Sequence, residues 1–124
     1  MKQVKVGLIG ANWMGSFHSI GLNNVRQAYH DVEPVFEHVA DVNEAAAKLA
    51  AERFGYKKVS TDWHDVISDP EVELVIIATP NFTHAEIAIA AAKAGKHILC
   101  EKPMANTLAE GKAMVDAIEK ARCV

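Results

Sequence analysis

The chain has 124 residues, of which 50% are hydrophobic and 23% are charged, and its formal net charge is −3. This size suits one globular domain with its own core, and the composition excludes a disordered or fibrous chain. The slight acidity gives no electrostatic reason to expect nucleic acid as a partner, and no apolar stretch approaches the roughly 20 residues that span a membrane. Two distant cysteines, Cys100 and Cys123, favour reduced thiols in the cytoplasm over a disulfide framework.

Short apolar runs alternate with longer helical patterns along the whole chain. A first strand is predicted over residues 4–9, and apolar residues at helical spacing follow over residues 13–28. Pro34 is expected to break the chain before the second strand. The remaining elements are predicted in the order strand 35–40, helix 43–54, strand 58–60, helix 62–67, strand 74–78, helix 83–94, strand 97–100 and a last helix from residue 107.

Two helix starts have the spacing of a capping box, in which a threonine and a glutamate three residues later satisfy backbone N–H groups. Thr83 with Glu86 opens one of these helices, and Thr107 with Glu110 opens the last one. We expect the last helix to pack on the sheet through its apolar face, which includes Met114, Val115 and Ile118.

Strands that alternate with helices five times over predict parallel strands joined by right-handed crossovers. Residues 74–78 are continuously apolar, which is typical of a strand covered on both faces. A closed eight-fold barrel needs roughly twice this length. The sequence therefore predicts an open, doubly wound parallel sheet, a three-layer α/β/α Rossmann domain over residues 1–124, with strand order 3-2-1-4-5.

In such a sheet every strand-to-helix loop lies at one edge, and ligands bind there, where the strand order reverses. Four polar or glycine-rich segments fall at that edge, namely residues 10–15, Asp41, residues 79–81 and residues 101–103. Their convergence predicts a binding crevice better than any single segment does.

Residues 10–15 read GANWMG and stand between a strand and a helix. This is the context of a dinucleotide fingerprint, because the helix N-terminus offers free N–H groups and a partial positive charge to a pyrophosphate. Gly10 permits a tight turn and Gly15 permits close packing, whereas Asn12 replaces the middle glycine of the fingerprint. Trp13 and Met14 lie in the same segment and are both candidate cofactor-binding residues, with Trp13 a candidate to flank the cofactor. The alternative is a plain strand-to-helix turn that needs small residues.

Asp41 ends the second predicted strand, 26 residues after Gly15. A carboxylate at this place can accept hydrogen bonds from a ribose hydroxyl, and it would repel the 2′-phosphate of NADP. The sequence therefore favours NAD over NADP as the cofactor. Asp is also a good N-cap, so the alternative is that Asp41 only caps the following helix.

Thr79, Pro80 and Asn81 follow the apolar fourth strand and are candidates for lining the cofactor crevice. An equally good interpretation is a turn ahead of the Thr83 cap. His84 stands near the start of the following helix at the ligand edge, and we include it among the candidate cofactor-binding residues. The alternative for His84 is an ordinary residue of a helix N-terminus.

Glu101, Lys102 and Pro103 follow the fifth strand, where the nicotinamide end of a dinucleotide should lie. Oxidation of an alcohol releases its hydroxyl proton, and a nearby ammonium group stabilises the developing alkoxide. Lys102 is therefore the candidate catalytic residue, and all three residues are candidate cofactor contacts. The alternative is a solvated Lys-Pro turn. No pair of the six histidines has metal-ligand spacing on one helix, so no metal site is predicted.

Taken together, these motifs resemble those of the Gfo/Idh/MocA oxidoreductase family. Residues 78–81 (ATPN), 84–86 (HAE) and 94–97 (AGKH) look like its central signature, and residues 100–103 (CEKP) look like its most specific motif. The resemblance implies binding of NAD or NADP and action on sugars, polyols or their derivatives. It puts Lys102 at the active-site lysine position and Pro103 after a cis peptide bond.

The resemblance also implies a second α/β domain, which supplies a catalytic Asp and His, most of the substrate pocket and often the interface of a homo-oligomer. We expect the 124 residues to lack that domain and the last strand of the Rossmann sheet. The leading hypothesis is the dinucleotide-binding domain of an oxidoreductase that transfers a hydride between NAD and a sugar or polyol. Two alternatives stay open, a non-catalytic dinucleotide-binding sensor and an NAD-dependent glycosidase.

Overall fold

The computed structural model describes all 124 residues, and strands and helices alternate along them. The strands are β1 Lys2–Ile9, β2 Val32–Ala40, β3 Lys58–Ser60, β4 Leu74–Ile77 and β5 His97–Cys100. The helices are α1 Trp13–Asn23, α2 Val25–Ala28, α3 Glu44–Phe54, α4 Trp63–Ser68, α5 His84–Lys93 and α6 Leu108–Ala121, with a 3-10 turn at Asn81–Thr83.

The five strands form one parallel sheet in the order β3-β2-β1-β4-β5, which confirms the predicted order. One apolar cluster lies on the face covered by α1 and α3, and a second lies on the face covered by α4, α5 and α6. The predicted three-layer α/β/α class is therefore correct. The order reverses between β1 and β4, so the crevice that the fold offers to a ligand opens at the carboxyl ends of these two strands.

Pro34 does not break the chain as predicted, because β2 already begins at Val32 and Pro34 pairs with Val4 of β1. β3 pairs only with residues 38–40 of β2, so near Pro34 one side of the strand has no neighbour. A proline is tolerated at such a place because the N–H that it lacks would have no ladder partner.

Two predictions about helices were also wrong in part. The helix predicted over residues 13–28 is divided at Asn24, whose N–H donates to Gly21 and Leu22 oxygens, into α1 and the short α2. The last helix, α6, packs chiefly against α5, with Met114 buried but Val115 42% exposed. It joins the core through the surface of α5, because α5 already covers β4 and β5.

A polar network lies near the amino ends of β3, β4 and β5, where Asp69 and Lys96 are buried, Lys58 is partly exposed, and His38 joins from within β2. Asp69, which follows α4, accepts hydrogen bonds from Lys58 Nζ (2.8 and 3.1 Å) and contacts His38 Nδ1 (2.8 Å). Lys96 Nζ donates to the backbone oxygens of Asp69 (2.6 Å) and Val72 (2.8 Å). We name Asp69, His38, Lys58 and Lys96 the amino-end network. No buried side-chain N or O atom in the structure is left without a partner.

Candidate functional site

The crevice at the carboxyl ends of β1, β2 and β4 holds a cleft of about 420 Å³. Five of the predicted site residues line it, namely Gly10, Asn12, Asp41, Thr79 and Pro80. Its remaining walls come from Ile9, Ala40, Val42, Thr61, Trp63, Phe82, Thr83 and Ile87. This volume lies in the range of small-molecule and cofactor sites. The structure thus brings the first three predicted segments together at one place.

The glycines of residues 10–15 are required by the backbone. Gly10 has φ of +98°, and a Cβ there would collide with the carbonyl group of Ala78 at the end of β4. A Cβ on Gly15 would collide with the carbonyl oxygen of Gly10. The two glycines therefore let the loop fold tightly over β1 and leave the start of α1 facing the cleft.

Asn12 is the N-cap of α1, with φ of −76°, and its side chain makes no capping hydrogen bond. The middle position of the loop therefore has an ordinary extended backbone, which any residue can adopt. The first hydrogen bond of the helix runs from Ser16 N–H to the Asn12 oxygen (2.9 Å). The N–H groups before Ser16 in this turn have no helical partner, as an anion-binding helix N-terminus requires.

Trp13 and Met14 extend from the start of α1 away from the cleft. The Trp13 side chain is 73% exposed and packs edge-to-face on Phe17, with 5.1 Å between ring centroids. Met14 and Phe17 line a second, apolar groove of about 290 Å³ beside Leu99 of β5. Neither Trp13 nor Met14 lines the larger cleft, so their contact with a cofactor stays a prediction.

Asp41 bridges two loops at the rim of the cleft. Its Oδ2 accepts from Ala11 N–H (2.8 Å), and its Oδ1 accepts from Asn43 N–H (2.8 Å). The N-cap of α3 is Asn43, whose side chain accepts from Ala46 N–H, so the alternative role of Asp41 as a simple helix cap is not what the structure shows. A carboxylate held in this way keeps lone pairs free to accept hydroxyl groups of a ligand.

The loop after β4 is closed by hydroxyl groups. Thr83 Oγ1 donates to the Pro80 oxygen (2.7 Å) and lies 2.6 Å from Thr79 Oγ1. The predicted capping box of Thr83 is therefore wrong, because its hydroxyl bonds the turn instead of the first N–H groups of α5. Asn81 is exposed at the start of the 3-10 turn and does not line the cleft. At Thr107 the predicted cap forms, since its hydroxyl accepts from Glu110 N–H (3.1 Å).

His84 is completely buried beneath the same loops. Its Nε2 lies 2.9 Å from the Thr79 oxygen, and its Nδ1 lies 2.9 Å from the Pro103 oxygen. Both neighbours are acceptors, so a neutral ring donates to one of them and an imidazolium donates to both. Because His84 is 0% exposed in the structure, its direct contact with a cofactor stays a prediction. His84 joins the loop after β4 to the loop after β5.

Glu101, Lys102 and Pro103 lie at the carboxyl end of β5, beside the cleft and not among its lining residues. The Lys102 side chain is exposed, and the peptide bond before Pro103 is cis, as the resemblance implies. Glu101 Oε1 lies 2.8 Å from Nε2 of His18 on α1, and its Oε2 accepts from Lys102 N–H (3.2 Å). The bond from His18 holds the pKa of the Glu101 carboxyl below its ordinary value, although burial opposes this shift.

Sequence reasoning did not predict several side chains of the site, among them Trp63, Phe82 and His18. As aromatic residues, Trp63 and Phe82 were expected to pack in the core. Both form walls of the cleft, and Phe82 is 73% exposed. Their proximity to strand ends was the available signal. For His18 no local signal existed, because its partner Glu101 lies 83 residues further along the chain.

No group of three or more His, Cys, Asp or Glu side chains comes together in a way that could hold a metal ion. None of the helices has both the length and the apolar character needed to cross a bilayer.

A glycine-lined loop, a helix N-terminus and a carboxylate at the end of β2 meet at the switch point of a doubly wound sheet, and this arrangement defines a dinucleotide-binding Rossmann domain. The model of an oxidoreductase family described as having an NAD-binding Rossmann fold, GFO_IDH_MocA, matches residues 4–124. The chain belongs to this family, and both the resemblance and the choice of NAD as cofactor are confirmed.

Relatives of this chain include sugar and polyol dehydrogenases. Levoglucosan dehydrogenase of Pseudarthrobacter phenanthrenivorans is 47% identical over 121 residues, which are 96% of this chain and 31% of that protein. Myo-inositol 2-dehydrogenase of Thermotoga maritima is 33% identical over 118 residues, 95% of this chain and 34% of that protein. A solved levoglucosan dehydrogenase in complex with NADH and L-sorbose matches with a TM-score of 0.95 at 46% identity, over 100% of this chain and 34% of that one. The chain therefore spans about a third of the length of the relatives that it matches.

Proposed function

We propose that these residues form the cofactor-binding part of an NAD-dependent dehydrogenase that oxidises a sugar, a polyol or a derivative. The observation that carries the proposal is the exposed Lys102 at the same sheet edge as the glycine loop and Asp41. The relatives named as levoglucosan and inositol dehydrogenases support the substrate class. The lack of room for a Cβ at Gly10 and Gly15 fits the tight turn and the close helix packing of a dinucleotide-binding loop.

Each end of the crevice would have its own task. The ribose of the adenosine would bond to Asp41, and the pyrophosphate would lie at the N-terminus of α1. The loops after β4 and β5 would hold the nicotinamide, which would supply the acceptor for a hydride from the carbinol carbon of the substrate. The Lys102 ammonium would stabilise the alkoxide that forms as the substrate hydroxyl loses its proton.

Calorimetric titration of the chain with NAD and NADP tests the assigned role of Asp41. We expect NAD to bind at least about tenfold more tightly, because the carboxylate repels the 2′-phosphate. Asp41→Asn keeps the shape of the side chain without its charge and should bring the two affinities close together. Asp116→Asn, on the exposed surface of α6, is the matched control and should leave the ratio unchanged. Equal affinity of the two cofactors in the unmodified chain would contradict this role.

We also propose that the 124 residues have no dehydrogenase turnover of their own. The substrate proton needs a positioned base opposite the nicotinamide, and the one carboxylate beside Lys102, that of Glu101, is engaged by His18 and by a backbone N–H. Loss of a positioned base costs about 10²- to 10⁴-fold in rate. The test is a spectrophotometric assay for NADH with a panel of sugars and inositols. Turnover that disappears in Lys102→Ala would contradict the proposal.

For the full-length protein we propose a cytoplasmic homo-oligomer. Both cysteines, Cys100 and Cys123, are unpaired in the structure, which supports a reducing compartment. The family resemblance supports assembly through a second domain. Light scattering of the purified full-length protein would test the assembly, and cell fractionation would test the compartment.

A further inference from the structure

The loop that carries Lys102 is attached to α1 through one carboxylate. His18 stands in the second turn of α1, and its Nε2 meets Oε1 of Glu101 at 2.8 Å. Only 22% of the His18 side chain and 18% of the Glu101 side chain are exposed, so this pair is shielded from water on most sides. The other oxygen of Glu101 accepts the N–H of Lys102 itself. The carboxylate therefore connects a helix to the backbone of the lysine.

The residues on both sides of Lys102 are fixed by the rest of the fold. The N–H of Glu101 donates to the Ile77 oxygen (3.0 Å), which continues the pairing of β5 with β4. The oxygen of Pro103 faces the buried ring of His84 at 2.9 Å. The Lys102 side chain makes no hydrogen bond of its own, so its direction depends on these backbone attachments and on the Glu101 carboxylate.

Electrostatics makes the His18 contact strong. The hydrogen bond from His18 lowers the pKa of Glu101, and the N–H of Lys102 and the ammonium charge of Lys102 act in the same direction. The carboxyl group is therefore ionised at neutral pH. Hydrogen bonds to an ionised group are roughly twice as strong as those between neutral groups, and partial burial reduces their screening by salt.

We propose that His18 is a positioning residue for Lys102, which it orients through the Glu101 carboxylate. The inference rests on the proposed function, because it gives the lysine a task at the nicotinamide end of the cofactor. α1 begins at the glycine loop and carries His18 one turn later, so one rigid helix holds both the pyrophosphate site and the lysine loop. His18 itself need not contact the cofactor.

Binding of two ligands separates this role from a general structural one. NADH occupies both ends of the crevice, whereas ADP-ribose lacks the nicotinamide and depends on the glycine loop and Asp41. We expect His18→Leu to weaken NADH binding by about tenfold and to leave ADP-ribose binding unchanged. His18→Gln, which keeps an N–H donor, should restore NADH binding to within about twofold. His30→Leu, at an exposed position before β2, is the control for loss of a histidine.

A second measurement does not need a ligand. The ¹H–¹⁵N heteronuclear NOE of the Lys102 amide should fall in His18→Leu and return in His18→Gln, while the amides of α1 keep their values. An equal loss of affinity for both ligands, or an unchanged Lys102 NOE in His18→Leu, would overturn the proposal for His18. An unmodified chain that binds neither ligand would instead overturn the proposed function, and the NOE would still decide the role of His18.

Discussion

The two ends of the sheet use the same residue types in opposite ways. At the amino ends, Lys96 is 8% exposed and donates to two backbone oxygens, and Asp69 is 6% exposed with its carboxylate shared between His38 and Lys58. At the carboxyl ends, Lys102 is exposed and makes no side-chain hydrogen bond. A buried polar group needs a partner within the protein, so the amino-end network stabilises the fold.

This difference in hydrogen bonding indicates the end of the sheet at which a ligand is expected to bind. Asn12, Asn81 and Lys102 keep donors free of protein partners, and all three stand at the edge where α1 presents unpaired N–H groups. Lys96, by contrast, is buried and donates to two backbone oxygens, although it belongs to one of the motifs that resemble the family signature. Substitutions at the amino ends should therefore change stability, and substitutions at the carboxyl ends should change binding.

The largest expected effect is on stability at the amino ends. Asp69→Ala removes the acceptor of His38 and Lys58, and we expect it to lower the free energy of unfolding by about 3 kcal/mol, because it leaves a buried histidine without its partner. The measurement is urea unfolding followed by circular dichroism. In a calorimetric titration, the folded variant should bind NAD with the affinity of the unmodified chain. A clear loss of cofactor affinity would contradict the division between the two ends.

A substitution in the glycine loop should instead weaken cofactor binding. Gly15→Ala places a Cβ against the Gly10 oxygen and pushes the loop toward the cleft, so we expect NAD binding to weaken by about 100-fold. Gly21→Ala is the matched control in the same helix, since nothing lies within 4 Å of its Cβ position. That control should keep its NAD affinity and gain up to about 1 kcal/mol in stability. Similar affinities for the two variants would show that the close approach at Gly15 is not needed.

Acid should weaken the amino-end network in a defined range of pH. Burial opposes ionisation of Asp69, but the bonds from Lys58, Glu71 N–H and His38 prevail and lower its pKa to about 2. The folded state therefore holds this proton less tightly than the unfolded chain, whose Asp pKa is about 3.9. The resulting stability, about 2 kcal/mol, is present above pH ~4 and is lost as the pH falls toward ~2.

The comparison of the unmodified chain with Asp69→Asn tests this sign. The difference in free energy of unfolding between them should be constant from pH ~7 to ~5 and should shrink steadily toward pH ~2. A difference that grows as the pH falls would mean that another titrating group controls the loss of stability in acid.

The smallest expected effect is the change in stability on replacing Lys102, and it contrasts with the effect of replacing Lys96. Lys102→Ala should change the free energy of unfolding by less than about 0.5 kcal/mol, because the side chain is exposed and unpaired. Lys96→Ala removes the side-chain donor of the Val72 oxygen and leaves the Asp69 oxygen only the Val72 N–H, so it should cost about 1–3 kcal/mol. Burial lowers the pKa of Lys96. The two backbone oxygens still need the donor that Lys96 provides. Thermal unfolding of both variants is the measurement, and equal stability losses would contradict the contrast.

The fold could be predicted because its signals are local. Periodicity and apolar runs predicted the five strands, and the handedness of crossovers reduced the possible strand orders to a few. The glycine loop, Asp41 and the loop after β4 could be assigned to one cleft because parallel strands put their carboxyl ends at one edge. What local signals could not give was the neighbour strand of each residue, so Pro34 was expected to end a strand in which it is tolerated.

Side-chain partners were the least predictable part of the site. Thr83 has the spacing of a helix cap, yet the Pro80 oxygen competes for its hydroxyl and the helix starts after a 3-10 turn. His84 has the position of a ligand contact, yet it is buried between two loops. The His18 contact with Glu101 joins residues far apart in the chain, and only the assembled sheet brings them together.

The backbone of Asn12 has a consequence for how such chains are detected. With φ of −76°, this residue has no conformation that demands glycine, whereas Gly10, at +98°, does, and Gly15 has no space for a side chain. A search pattern that insists on three glycines would pass over this chain, even though Gly10 and Gly15 keep the tight turn and the close packing of the loop. A pattern written as one left-handed residue, one free position and one residue without a Cβ would retain it.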